Sequence, residues 1–231
     1  MLYSNYHKSW NKFMTDDIKR ELNVIETHIG DNYTPAKENI LKFLEMNLSD
    51  IKVVILGQDP YPQEGVATGR CFEVGTLSSW QDPFRQVSLR NIVRALYKSY
   101  NDELLKYSEI KKLMVNNKFN ILEPNKLFKN WEEQGVLLLN TYFTCEVGKP
   151  GSHKDLWEKF SIKLIEYISS ENKNIKWFLW GSEAIKTEKH ILGGNLYKSR
   201  HPMMCSEKYE DDFLKNQCFR DTKGEINWLG R

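Results

Sequence analysis

The sequence predicts a single α/β domain, with a short parallel sheet at its centre and helices on both faces. Three observations predict it. The apolar runs VVIL at 53–56, VLLLN ending at Asn140 and IKWFLW ending at Trp180 have strand length but no polar alternation, so they read as strands buried on both faces. Amphipathic helical stripes lie between these runs, and strand alternating with helix is the pattern of a parallel sheet. No low-complexity linker, internal repeat or clear boundary divides the 231 residues, a length within reach of one domain with a sizeable core.

Each element follows from its local pattern. The first fifty residues read as helical, because Ile18, Leu22 and Ile25, and later Ile40, Leu41, Phe43 and Leu44, recur near a 3.6-residue period. The first strand, Val53 to Leu56, is followed by a long irregular stretch. Next comes a helix of roughly three to four turns over SLRNIVRALYKSY, with Leu89, Ile92, Val93 and Leu96 on one face. The second strand closes at Asn140. A helix with Trp157, Phe160, Leu164 and Ile168 as its inner stripe separates it from the third strand, which closes at Trp180. A last short strand, NLYKS, leads into SRHPMMCS.

Composition narrows the function classes. Hydrophobic residues make up 40% of the chain and aromatics 13%, which argues for a packed globular protein. Thirty-three Lys and Arg against 31 Asp and Glu give a net charge of +2, so any nucleic-acid site must be a local patch rather than a global field. Cys71, Cys145, Cys205 and Cys218 are scattered and form no C-x-x-C pair, a poor spacing for zinc or an iron–sulfur cluster, and nothing favours disulfides. The opening MLYSNYHKSWNKF has no continuous apolar run, so neither a signal peptide nor a membrane anchor is expected, and no later stretch has the length to span a bilayer. The expected location is cytoplasmic, with a nuclear or viral-factory setting compatible with the same features.

GQDPY, NTYFT, GSEA and RHP each follow a predicted strand immediately. In open α/β sheets ligands bind in the crevice at the carboxyl ends of the strands, so four polar segments from distant parts of the chain are expected to converge on one site. Pro60 pushes Asp59 towards an extended conformation, and a carboxylate held there can orient or deprotonate a water, or face a developing positive charge. A lone Asp-Pro is more often a plain turn starter, which is the reading for Asp82-Pro83. Asn140 presents one acceptor and two donors, suited to a planar amide edge; considered alone it reads as a strand-end cap. His201 suits an anionic oxygen, and Phe72 suits stacking, although taken singly they read as a loop histidine and a core ring. No serine–histidine–acid set, Walker loop, metal-ligand cluster or G-x-G-x-x-G stands out, and no metal or cofactor is expected. Together the residues suggest recognition of a planar, amide-bearing ring beside one catalytic carboxylate.

GQDPY after VVIL, then GRCFEV, LLLNT, the SHKDLWEKF segment, LWGS and the late HP resemble, in order and separation, the family 1 uracil-DNA glycosylases. The resemblance runs from about Tyr33 onward, with residues 1–32 as a helical extension of one domain covering 1–231. It implies a DNA repair enzyme that flips uracil out of DNA and hydrolyses its N-glycosidic bond. Asp59 then matches the carboxylate that positions water and faces the sugar cation, and His201 the imidazole that stabilises the departing base at O2. Asn140 matches the amide that reads uracil, Phe72 the stacking ring, Tyr61 the ring that excludes the thymine methyl, and Gln58 a wall of the pocket through its backbone. Ser88, Ser182 and Ser206 match phosphate-contacting serines. Two departures stand out: Pro62 where the family usually has His, and HPMMCS where it usually reads HPSPLS, so that Met204 or Cys205 must fill the place of the wedging leucine. Expected partners are uracil-containing DNA, single- or double-stranded, and a proteinaceous inhibitor or replication protein, with the chain acting as a monomer away from membranes. A same-fold glycosylase acting on another, modified base, and a catalytically weak DNA- or protein-binding member, are the alternative readings.

Overall fold

Residues 2–3 and 5–230 are described by the computed structural model; Met1, Ser4 and Arg231 lie outside the described residues. In chain order the strands are β1 (Tyr33–Thr34), β2 (Val53–Gly57), β3 (Val136–Asn140), β4 (Cys145–Glu146), β5 (Lys176–Trp180) and β6 (Asn195–Ser199). The α-helices are α1 (Asp16–His28), α2 (Val87–Asn101), α3 (Tyr107–Val115), α4 (Pro124–Glu133), α5 (Lys154–Glu171), α6 (Ser182–Lys186) and α7 (Cys218–Thr222). Four strands form one parallel sheet in the order β3–β2–β5–β6, and β1 pairs with β4 in a separate antiparallel ribbon.

The apolar runs explain the layers. Successive strand residues point to opposite faces. Accordingly Val54, Leu56, Leu137, Leu139, Trp177 and Leu179 join one core cluster, while Val53, Ile55, Val136, Leu138, Phe178 and Trp180 join the other. The first cluster is covered by α1 and α5, through Ile18, Leu22, Ile25, Trp157, Phe160 and Leu164. The second is covered by α2, α4 and α7, through Leu89, Ile92, Leu127, Phe128, Trp131 and Phe219. All seven tryptophans are buried. The chain is thus a single α/β domain with helices on both faces of a parallel sheet.

Two stretches differ from the sequence reading. Residues 37–50 are not α-helical but form three short 3-10 turns, Lys37–Asn39, Lys42–Glu45 and Leu48–Asp50. Their backbone acceptors are committed elsewhere: the Leu44 carbonyl accepts from the His7 amide at 2.8 Å, and the Met46 carbonyl from Trp10 Nε1 at 2.8 Å. The apolar residues there are buried as periodicity suggests, but the ladder of an α-helix is not available to them. The second difference is that α3, α4, α6, α7 and the β1–β4 ribbon had no counterpart in the sequence reading, β1 lying within the stretch read as helical. Only Ile110 of α3 is buried, so it carries no apolar stripe. Among the described residues no helix is long and apolar enough to cross a membrane.

Candidate active site

The loop after β2 is fastened to the loop after β3. The Thr141 amide and hydroxyl both donate to the Gly57 carbonyl at 2.9 Å, and the Tyr142 amide donates to the Gln58 carbonyl at 2.9 Å. Further out, the Gly148 amide donates to the Pro62 carbonyl at 2.8 Å. Register places Gly57 beside Asn140. A Cβ on residue 57 would lie 2.5 Å from Asn140 Oδ1, so glycine is what lets the buried carboxamide sit across the ends of the two strands.

These loops wall a cavity of about 170 Å³ together with the irregular stretch before α2 and the loop after β6. Gln58, Asp59, Tyr61, Phe72, Ser88, Asn140 and His201 all line it, with Pro62, Arg70 and Pro150. The convergence expected of four strand-end segments is therefore met by three of them, and Phe72 and Ser88 come from elsewhere in the chain.

Each polar group in the cavity has a distinct state. Asp59 Oδ1 is buried with no hydrogen-bond partner. Burial pushes its carboxyl up to about 6, against the Gly151 backbone amide, which lowers it; the Glu183 charge raises it further and the Gln58 side chain opposes. His201 Nδ1 accepts from the Met203 amide at 3.1 Å, so the neutral ring carries its proton on Nε2. Burial holds the His201 pKa below its ordinary value, which favours that neutral ring. Gly181, at φ +95°, gives His201 room, since a Cβ there would lie 3.0 Å from the histidine Cβ.

Phe72 adopts φ +64°, a left-handed conformation that costs a non-glycine residue about 1–2 kcal/mol. Its ring centroid lies 5.4 Å from that of Trp180 and 5.9 Å from that of His201. Tyr61 Oη donates to the Phe72 carbonyl at 3.4 Å, and burial raises the phenol's pKa, so it stays protonated. The site thus combines a carboxylate, a carboxamide, a neutral imidazole with its proton on Nε2 and an aromatic wall. Such a set can hold a planar heterocycle by one face and one edge, and can balance charge that develops as a bond breaks.

Four of the expected residues lie outside the cavity. Ser182 is exposed as the first residue of α6. Met204 is 58% exposed and Met203 57%. Cys205 and Ser206 face a different hollow, of about 400 Å³, beside Arg94 and Lys98, and the Ser206 amide donates to Asp212 Oδ2 at 2.6 Å. Another hollow of about 390 Å³ between α5 and α6 contains the ion-paired Lys154, Glu183 and Lys186 but none of the converging groups. His153, read as structural, is buried with Nδ1 at 2.8 Å from the Thr144 hydroxyl. Sequence reasoning missed Arg70, Pro150 and Gly151. The Pro-Gly turn marker at 150–151 was available as a signal, and the charged Arg70 inside GRCFEV was another.

Fold and site together define an α/β protein with a small, heterocycle-sized pocket at the carboxyl ends of a parallel sheet. The profile of the uracil DNA glycosylase superfamily matches residues 43–223, more than half of the chain. A uracil-DNA glycosylase of Borrelia duttonii is 35% identical over 229 residues, covering 96% of this chain and 88% of the relative. One from Pseudoalteromonas translucida is 37% identical over 170 residues, covering 70% and 68%. Among solved structures, UNG from Nitratifractor salsuginis superposes with a TM-score of 0.74 at 20% identity, covering 97% of this chain and 92% of that one. The mimivirus uracil-DNA glycosylase gives 0.63 at 24% identity, covering 88% and 73%. This chain belongs to the uracil DNA glycosylase superfamily.

Proposed function

We infer that this protein excises uracil from DNA, hydrolysing the bond between base and sugar and leaving an abasic site and free uracil. The observation that carries the reading is the convergence of Asp59, Tyr61, Phe72, Asn140 and His201 on one cavity of about 170 Å³. A base stacked in a duplex cannot enter such a cavity, so it is extruded at a cost of a few kcal/mol. Stacking on Phe72 and edge hydrogen bonds to Asn140 offset that cost. The Asn140 carboxamide pairs with uracil N3–H and O4, whereas cytosine presents the reverse pattern. The Tyr61 ring occupies the space a C5 methyl would need, and the Gln58 backbone completes the wall.

In the reaction the C1′–N1 bond breaks with its electron pair leaving on uracil. The His201 Nε2–H donates to O2 of the departing anion. Asp59, ionised at neutral pH, faces the sugar cation with its unpaired Oδ1 and orients a water. The water oxygen bonds to C1′ and its proton passes to the carboxylate. Ser88, Ser182 and Ser206 contact phosphates along the strand, and Met204 or Cys205 fills the gap left by the base. Pro62 stiffens the pocket rim without removing a reacting group. The substrate is uracil-containing DNA, single- or double-stranded, and the chain acts as a cytoplasmic monomer. A protein inhibitor is a fitting partner, since the mimivirus relative is solved in complex with UGI.

Base release from oligonucleotides carrying a single uracil tests the reading, with Asp59→Asn as control. Rapid release that the substitution abolishes or strongly reduces is expected. No release from either single or double strands would overturn it.

A further inference from the structure

Beside the cavity lies an ion network that the chemistry above does not use. Arg70 has a side chain only 12% exposed and is held from two sides. Its Nη1 donates to Glu73 Oε2 at 3.2 Å, and its Nε and Nη2 donate to Glu132 Oε2 at 3.1 and 2.5 Å. The Glu73 side chain is 8% exposed and also accepts from the Thr68 hydroxyl at 2.5 Å, while Thr68 Oγ1 accepts from the Arg70 amide at 3.3 Å. Glu132 sits on α4, which Leu127, Phe128 and Trp131 anchor in the core. An apolar side chain of similar volume would fill the place of Arg70 without desolvating three charges, so packing alone does not account for the network.

Its position does. Arg70 and Glu73 flank Phe72, and they close a ring of ion pairs across the residue that holds φ +64°. A left-handed phenylalanine persists only where its surroundings over-determine it. On the sheet side, the Cys71 amide donates to the Leu138 carbonyl at 3.4 Å and its thiol to the Ile55 carbonyl at 3.3 Å. On the pocket side, Tyr61 holds the Phe72 carbonyl. The Arg70–Glu73 and Arg70–Glu132 pairs tie the residues on both sides of Phe72 to one another and to α4.

We propose that Arg70 is a positioning residue for base recognition: bridging Glu73 and Glu132, it locks the left-handed turn and holds the Phe72 ring ready to stack on the extruded base. The proposal rests on the uracil-binding reading of the cavity. With the pairs broken, residue 72 relaxes towards ordinary backbone and its ring leaves the wall shared with Trp180 and His201.

A double-mutant cycle on free uracil, titrated by calorimetry into the full-length protein, tests this. Arg70→Met is expected to weaken uracil binding about tenfold, the scale of losing most of one base–aromatic stack. In a Phe72→Ala background the same substitution is expected to add nothing, because the ring it positions is gone. Equal binding by wild type and Arg70→Met, or an equal loss in both backgrounds, would overturn the proposal, the second result marking a general structural role. If Arg70→Met does not fold, Glu132→Gln takes its place in the same cycle, since it removes the charge and keeps the shape. A wild-type protein that releases no uracil from DNA overturns the functional reading itself, and the proposal with it.

Discussion

Asp59 carries the opposition between stability and function in a single side chain. Burial pushes its carboxyl up to about 6 in the folded protein, from the ordinary value of 3.8. The folded state therefore binds more protons than the unfolded state between these values. Stability from this group falls as pH rises through that window, and the cost is complete above about pH 6. Asp59→Asn is accordingly expected to melt at higher temperature than the wild type at pH 8, and the gap is expected to close near pH 4. Thermal unfolding at both values checks this, and a variant no more stable than wild type at pH 8 would contradict it. The same carboxylate must be charged to face the sugar cation, so base release is expected to decline below about pH 6. Burial holds the His201 pKa below its ordinary value, which favours the neutral ring that donates from Nε2. These two states were not legible in the sequence, because burial and the Met203 amide that fixes the imidazole tautomer are products of the fold. The residue types were legible, since few short segments combine Gly, Gln, Asp, Pro and Tyr directly after an apolar strand.

At the scale of elements, the buried strands were the plainest feature. VVIL, VLLLN and the KWFLW run became β2, β3 and β5 because a strand covered on both faces has no polar position to confuse the pattern. Helix α5 was equally readable from its stripe of Trp157, Phe160, Leu164 and Ile168. Residues 37–50 misled because apolar spacing reports which side chains are buried and is silent on where backbone carbonyls find donors. Arg70 was invisible for a related reason: its partner Glu132 lies 62 residues away on a helix with no counterpart in the sequence reading. Helix α1 is the instructive case. Leu22 is fully buried against the α5 side of the sheet, and Lys163 pairs with Glu21 at 2.7 Å across the two helices. Leu22→Ala is expected to destabilise the protein by about 2–5 kcal/mol, as for other buried leucines. Denaturant unfolding measures it, with uracil release per folded molecule unchanged at 25 °C. A cost below about 0.5 kcal/mol, the range of exposed substitutions, would mean that α1 is an appendage rather than a wall of the core.

For the whole molecule, a net charge of +2 supplies little long-range attraction to DNA, so the way the base is captured rests on local contacts. The exposed pair Met203 and Met204 stands where the wedge is proposed, and a flexible thioether is a softer filler of a vacated base position than a branched side chain. The wild-type protein is therefore expected to release uracil faster from single strands than from duplexes, and Met204→Leu to raise the duplex rate relative to the single-strand rate. Matched turnover assays decide it; a wild-type duplex rate at or above the single-strand rate would contradict the expectation. The pocket is also spread along the chain, from Gly57 to His201, and Phe219 and Trp228, which pack behind Phe178 of β5, come later still. A ribosome makes the chain from its amino end, so at no intermediate length does a growing polypeptide own a complete pocket on a finished core. A chain that stops before Phe219 therefore carries every residue of the pocket wall yet lacks two rings of the core packed behind β5.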